Sequence, residues 1–425
     1  MKRFFILFLI LAVSVFAASC GVRNKDNDSD RETLTEITTE TETETNAYTE
    51  TETAEETKTT DAATETTAEA ASGAGETEKV PETGAESADA VSAILEKMTD
   101  EEKVGQLFLC RNPKTEEDAL HLVRDLHVGG IIFFARDFAT STPEKFRALV
   151  DKYGKNADIG LLTAVDEEGG SVCRVSLYKA FRDEKFASPA ELYDTGGIDA
   201  ITSDASEKSD FLLNIGINFN ICPVADVSTD KSDFIYARSL GEDAGKTSEY
   251  VSAVVGEMNK KGIVSALKHF PGYGSCEDTH TGIAYDRREL SSLEKNDFPP
   301  FAAGIAAGAP IVLVSHNVVT ALDGDRPASL SEKVIDLLRG DFGFSGVVMT
   351  DDLSMGAIKD FTDGGDAAVS AVLAGCDLLC SSDAVTQYDA VLEALRNGTI
   401  PIERINEAAE RILRLKQKYN ILKEQ

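Results

Sequence analysis

The chain has 425 residues, 74 of them acidic and 42 basic, for a formal net charge of −32. No surplus of Lys and Arg exists to displace counterions from phosphates, which excludes a nucleic-acid binder working through a basic face. The length and the 42% hydrophobic content support one large barrel or two smaller domains.

In chain order, Lys2 and Arg3 precede an apolar run over residues 4–16, too short for a stable membrane span. A basic start, an apolar stretch and the small residues after it predict a secretory leader over residues 1–20. Ala17-Ala18-Ser19-Cys20 resembles the bacterial lipobox, with Ala17 where leucine is commoner. That resemblance implies lipid attachment at Cys20 and a place outside the cytoplasm, anchored to a bacterial membrane. The alternative is an ordinary cleaved signal with an incidental cysteine. Residues 21–86 alternate Thr and Glu with almost no large apolar side chain. Such a stretch cannot offset its ordering entropy, so a disordered, self-repelling stalk is expected. Residues 21–89 hold 20 acidic and 5 basic side chains, about half of the chain's net charge.

Residues 87–425 form the expected folded part. Its six cysteines, Cys110, Cys173, Cys222, Cys276, Cys376 and Cys380, mostly sit in or beside apolar runs. They are expected to be mainly unpaired core residues rather than a disulfide framework. Candidate strands fall at residues 104–109, 130–134, 161–166, 218–227, 264–269, 311–316, 347–352 and 377–382. Their apolar runs are near-continuous, as in parallel strands buried on both faces. Helical patterns fall at 143–153, 206–214, 246–261, 297–307, 331–338, 365–374, 384–397 and 402–418. This alternation predicts a TIM-type (β/α)8 barrel as a single catalytic domain, with a doubly wound open sheet as the alternative.

Charged or imidazole side chains close strand after strand: Asp166, Asp226, Lys268 with His269, His316, and Asp351 with Asp352. Catalytic groups gather on that face of a barrel. Two glycines and a proline shape the loop after strand five, and Asp278 and His280 follow two apart. In an extended segment such side chains point the same way, so the carboxylate can orient an imidazole that gives and takes a proton. Asp351, ending an apolar strand, is placed to attack an anomeric carbon, whereas Asp352 faces away and serves structure or electrostatics. A strand-end Asp-Asp pair alone would equally suit a metal site.

Five motifs, in order, resemble glycoside hydrolase family 3, specifically its β-N-acetylhexosaminidase branch. They are 166–174 (DEEGGSVCR), 216–227 (GINFNICPVADV), 237–241 (ARSLG), 268–280 (KHFPGYGSCEDTH) and 347–358 (VVMTDDLSMGAI). KHFPG followed by Asp-x-His is the most specific of them. The resemblance implies retaining, two-step exo-hydrolysis of terminal β-linked N-acetylglucosamine from cell-wall fragments or chitin oligomers, with no cofactor or metal. It assigns Asp351 as nucleophile, His280 as acid/base and Asp278 as its partner. It places Asp166, Arg174, Arg238, Lys268, His269 and His316 around the terminal sugar. Tyr273 stands where a second histidine is common, Glu167 where glutamine is frequent, and Thr279 where serine is frequent. The chain ends soon after the eighth strand's helices, so the C-terminal sandwich domain of many relatives is not expected. Two other readings stay open on the residues alone: a metal-dependent barrel hydrolase such as a phosphodiesterase, and a non-catalytic sugar-binding lipoprotein.

Overall fold

In the computed structural model, residues 84–276, 278–279, 282–362 and 364–423 are described. They fall within one compact unit, Lys79–Gln425. The predicted leader with Cys20, most of the stalk, and His280 lie outside the described residues.

Eight parallel strands form the core: Phe108–Arg111, Gly130–Phe133, Leu162–Val165, Phe219–Asn220, Val264–Phe270, Ile311–Val314, Val347–Thr350 and Leu379–Ser381. Each pairs with the next in sequence, and the first also pairs with the eighth through Phe108↔Leu379. The seventh meets the eighth at Met349↔Leu378, where the Thr350 N–H donates to the Leu378 carbonyl at 3.0 Å. That contact closes the cylinder, so the fold is the TIM-type (β/α)8 barrel and not the open sheet. Strands two, three, five, six and seven are buried at every position. This is why their sequences lack polar alternation.

Two predicted strands are corrected. Residues 104–109 do not form one strand. Thr99 and Glu102 make a reciprocal capping box, each side chain taking the other's N–H at 3.2 and 2.8 Å. The box starts a helix over Asp100–Gln106, and the strand begins only at Phe108. Within residues 218–227 only Phe219–Asn220 pairs as a regular strand; Pro223 has no N–H to offer, and past it a single bridge joins Val224 to Lys268. The helix expected at 206–214 is the end of Pro189–Asn214, which bends at Gly197, where φ is 60°. Helices Gly84–Lys97, Glu116–Arg124 and Leu290–Asn296 were not expected. The first begins ahead of the expected boundary at 87. It packs Val91 and Ile94, with Met98 just past its end, against Ile159 and Leu413.

The rim at the strands' N-terminal ends carries its own polar ties. Asp377, just before the eighth strand, accepts from Arg339 at 2.5 Å and from Arg404 and Arg411 at 2.9 Å each. Lys416 lies in the buried stripe of helix Ile402–Lys418. Its Nζ donates to Gln106 Oε1 at 2.6 Å and the Gly160 carbonyl at 2.9 Å. All six cysteines of this part are buried and unpaired.

Candidate active site

The opposite rim carries the strand-end residues Asp166, Lys268, His269, His316 and Asp351. The third strand delivers Asp166 at its end, and Glu168 follows two residues on. Lys268 Nζ sits 2.7 Å from Asp166 Oδ1 and 2.5 Å from Glu168 Oε1. Arg238 grips the same Glu168 carboxylate with two hydrogen bonds, 3.0 Å from Nε and 2.8 Å from Nη2. The Glu168 and Lys268 side chains are 1% and 2% exposed. Burial alone would raise the Glu168 carboxyl, but the charges of Arg238 and Lys268 reverse this and hold it well below its usual range. Burial likewise works against the charge on Lys268, and Asp166 and Glu168 overcome it, raising its pKa. Glu168, Lys268 and Arg238 therefore stay charged together as a buried, ionised knot. Asp166 is its most exposed carboxylate, 18% exposed against 1% for Glu168.

The fifth strand carries an irregularity that matters. Leu267 pairs with Val312 and Phe270 with Val314, so two residues on this strand stand opposite one on the sixth. In a regular strand Lys268 and His269 would face opposite sides. The bulge releases them from that alternation. Lys268 reaches Asp166 and Glu168, while His269 Nε2 lies 3.2 Å from Arg238 Nη2. Asp226 holds the histidine: its Oδ2 is 2.7 Å from Nδ1 and accepts the His269 N–H at 3.1 Å. Its other oxygen accepts the Tyr273 N–H at 2.7 Å.

Asp351 follows the seventh strand directly. Its N–H donates to the Val314 carbonyl at 3.2 Å, and its Oδ1 accepts the Asp352 N–H at 2.8 Å. Asp352 turns to structural work, as expected. Its carboxylate accepts from Ser354 N–H at 2.9 Å, from Ser382 N–H at 3.1 Å and from the Ser382 hydroxyl. His316 braces the same turn. Nε2 donates to the Asp352 carbonyl at 3.0 Å, and Nδ1 lies 2.7 Å from the Ser329 hydroxyl. A carbonyl can only accept, so the proton belongs on Nε2.

Glu167, buried like its neighbour, organises the turn that follows. Its carboxylate accepts the N–H groups of Arg174 at 2.8 Å, Val175 at 2.7 Å and Ser176 at 3.2 Å, and the Ser176 hydroxyl. The turn places the Arg174 guanidinium 6.0 Å from the Phe134 ring, on which Arg111 also rests at 4.8 Å. The Arg174 Nε is buried and has no hydrogen-bond partner among the described residues.

Asp278 and Thr279 belong to the loop after the fifth strand. The Thr279 carbonyl accepts the Ala357 N–H at 3.2 Å, in the segment that follows Asp351. On its outer side the loop is pressed against an ion-paired wall. A Cβ at Gly274, where φ is 54°, would stand 2.3 Å from the Arg288 guanidinium carbon. Arg288 is itself held by Asp286 at 2.6 Å and Asp297 at 2.7 Å.

Asp166, Lys268, Arg238 and His269 thus form one bonded network, and Asp351 and His316 meet at the neighbouring turn. Arg174 stands on the turn beside that network. Glu168 and Asp226 hold the network together; Asp226 was expected only as a polar residue closing a strand, and Glu168 was not singled out. The signal for Glu168 was its parity with Asp166: two apart in an extended stretch, the two share a face.

The glycosyl hydrolase family 3 N-terminal domain model matches residues 99–415. A β-hexosaminidase of Xylella fastidiosa (strain M23) is 33% identical over 291 residues, covering 65% of this chain and 83% of that one. The β-hexosaminidase LpqI of Mycobacterium tuberculosis is 29% identical over 348 residues, covering 79% and 87%. Among solved structures, a family 3 β-N-acetylglucosaminidase from Paenibacillus sp. str. FPU-7 superposes with a TM-score of 0.72 at 31% identity. That match covers 76% of this chain and 63% of that one. The match across most of the barrel, together with the ionised knot at its mouth, settles the family: this chain belongs to glycosyl hydrolase family 3 and is a glycoside hydrolase.

Proposed function

We propose that this barrel is a retaining, exo-acting β-N-acetylhexosaminidase that removes terminal N-acetylglucosamine from cell-wall fragments or chitin oligomers. Asp351 attacks the anomeric carbon while His280 protonates the departing oxygen, leaving a glycosyl ester on Asp351. His280 then takes a proton from water, which attacks the same carbon and frees the sugar and the carboxylate. Asp278 orients the imidazole and stabilises its charged form. Asp166 accepts sugar hydroxyls, and Lys268, Arg238, Arg174 and His269 supply donors whose positions Glu168 and Asp226 maintain. His316 lines the same subsite from beneath the Asp351–Asp352 turn.

The observation that carries this reading is the hydrogen bond from Ala357 N–H to the Thr279 carbonyl. It ties the stretch bearing Asp278 to the segment that leaves Asp351, as a proton donor and a nucleophile serving one sugar require. Cleavage of a chromogenic N-acetylglucosaminide and glucoside by the purified domain tests the substrate. Equal rates on the two sugars would sink that assignment. Asp351→Ala should lower kcat by on the order of 10⁴-fold or more, and His280→Ala by about 10²–10⁴-fold on a poor leaving group.

The protein works outside the cytoplasm, held by lipid on Cys20 and raised by the acidic stalk of residues 21–86. Cys20→Ala should move it from the membrane fraction to the soluble fraction of expressing cells. Retention of the variant in the membrane would count against the anchor.

A further inference from the structure

Tyr273 is more deeply buried than a loop residue at a barrel mouth need be, at 2% exposure. A buried phenol needs a hydrogen-bond partner, and this one finds it across its own loop. Its hydroxyl is hydrogen-bonded to the Thr279 hydroxyl, and Thr279 is itself fully buried. At the other end Tyr273 is rooted in the barrel wall. Its N–H donates to Asp226, the carboxylate that also holds His269, and its ring meets the His269 ring edge-on at 5.2 Å. Burial raises the phenol's pKa, and the nearby charge of Asp351 adds to the rise. Thr279 therefore has two ties: its side chain to the wall cluster through Tyr273, and its carbonyl to Ala357 beyond Asp351. Earlier in the same loop, Gly274 lies close against the Arg288 guanidinium.

We infer that Tyr273 is a positioning residue: through Thr279 it sets where the Asp278 end of the loop stands relative to Asp351. Thr279 lies between the two members of the proposed acid/base pair, so displacing it displaces both. The inference rests on the hexosaminidase reading above, and the experiment separates the two. A structural tyrosine would affect every substrate alike. A tyrosine that aims a proton donor matters most where the leaving group needs a proton.

The test measures kcat/KM of the full chain and of Tyr273→Phe, Thr279→Val, Thr279→Ser and His280→Ala on two N-acetylglucosaminides. One carries a 2,4-dinitrophenyl leaving group, the other a 4-methoxyphenyl group. Tyr273→Phe and Thr279→Val should each lose about 10-fold or more on the methoxyphenyl glycoside and less than about 3-fold on the dinitrophenyl glycoside. Thr279→Ser, which keeps the hydroxyl, should retain the full chain's ratio between substrates. The double variant Tyr273→Phe/Thr279→Val should be no worse than the poorer single one, because both remove the same bond. Azide should raise the variants' turnover of the dinitrophenyl glycoside by replacing water in the second step. Thr279→Val keeps the side chain's shape, so it decides the matter even if Tyr273→Phe folds poorly. Parallel losses on both substrates, or no loss on either, would overturn the positioning role. His280→Ala separates the causes. If it shows the leaving-group dependence and the tyrosine variant does not, only the inference falls. If neither shows it, the acid/base reading falls and takes the inference with it.

Discussion

Replacing Glu168 by glutamine keeps the side chain's shape and removes one charge from the buried knot. In the native protein Lys268 and Arg238 share that carboxylate at 2.5–3.0 Å, with Asp166 as the remaining acidic partner of Lys268. Glutamine leaves two closely spaced cations with the more exposed Asp166 as the one carboxylate still bonded to Lys268, and with Asp226 acting on Arg238 only through its charge. Removing one member of such a buried pair costs about 3–5 kcal/mol, a large share of the roughly 5–15 kcal/mol that stabilises a domain. At a urea slope of about 3 kcal/mol/M, the unfolding midpoint should fall by about 1 M or more. The pH dependence sharpens the test. The folded-state pKa of Glu168 is depressed. Its contribution is therefore fully present above the unfolded value of about 4.3 and is lost only as pH falls below it toward the folded pKa. Urea titrations of both proteins at pH 7, 5 and 3.5 should show a constant gap between the first two and a narrower one at the third. A gap under about 1 kcal/mol at pH 7, or one that shrinks between pH 7 and 5, would refute the account of an ionised knot.

Lys416 offers a test of opposite sign. Burial lowers its pKa from 10.5 to about 7, so a charging cost is fully present below pH 7 and is relieved as pH rises toward 10.5. Between pH 7 and 9.5 the native protein should gain about 3 kcal/mol relative to Lys416→Met in urea unfolding, and a pH-independent difference would contradict this. Gly274→Ala should destabilise the fold by about 2 kcal/mol, read as a lower melting temperature, because Arg288 is pinned by two carboxylates and cannot retreat from the new methyl group.

The barrel was legible because parallel strands buried on both faces leave uninterrupted apolar runs, and polar residues closing those runs marked the rim that carries the proposed site. In two stretches local chemistry outvotes hydrophobicity. The apolar residues Val104 and Leu107 look like a strand, yet the Thr99–Glu102 box commits that stretch to a helix. The capping pair was present in the sequence and carried the decisive signal. Residues 218–227 read as one long strand, but regular pairing stops at Asn220 and resumes only as a single bridge between Val224 and Lys268, beyond which Asp226 holds His269. The roles of Glu168 and Asp226 were harder to see, because each acts on residues distant in sequence: Glu168 on Arg238 and Lys268, Asp226 on His269 and Tyr273. The bulge that releases Lys268 and His269 from alternation leaves no composition signature, since it shows only in the register against the sixth strand.

The two ends of the cylinder divide their labour. Asp377 with its three arginines and the Lys416 contacts fasten one end, while every group of the proposed sugar subsite leaves from the other. A barrel anchored this way tolerates exchange of its mouth loops. Swapping the 271–279 loop for one of different length should retune which glycans are trimmed, while the far end keeps the staves together.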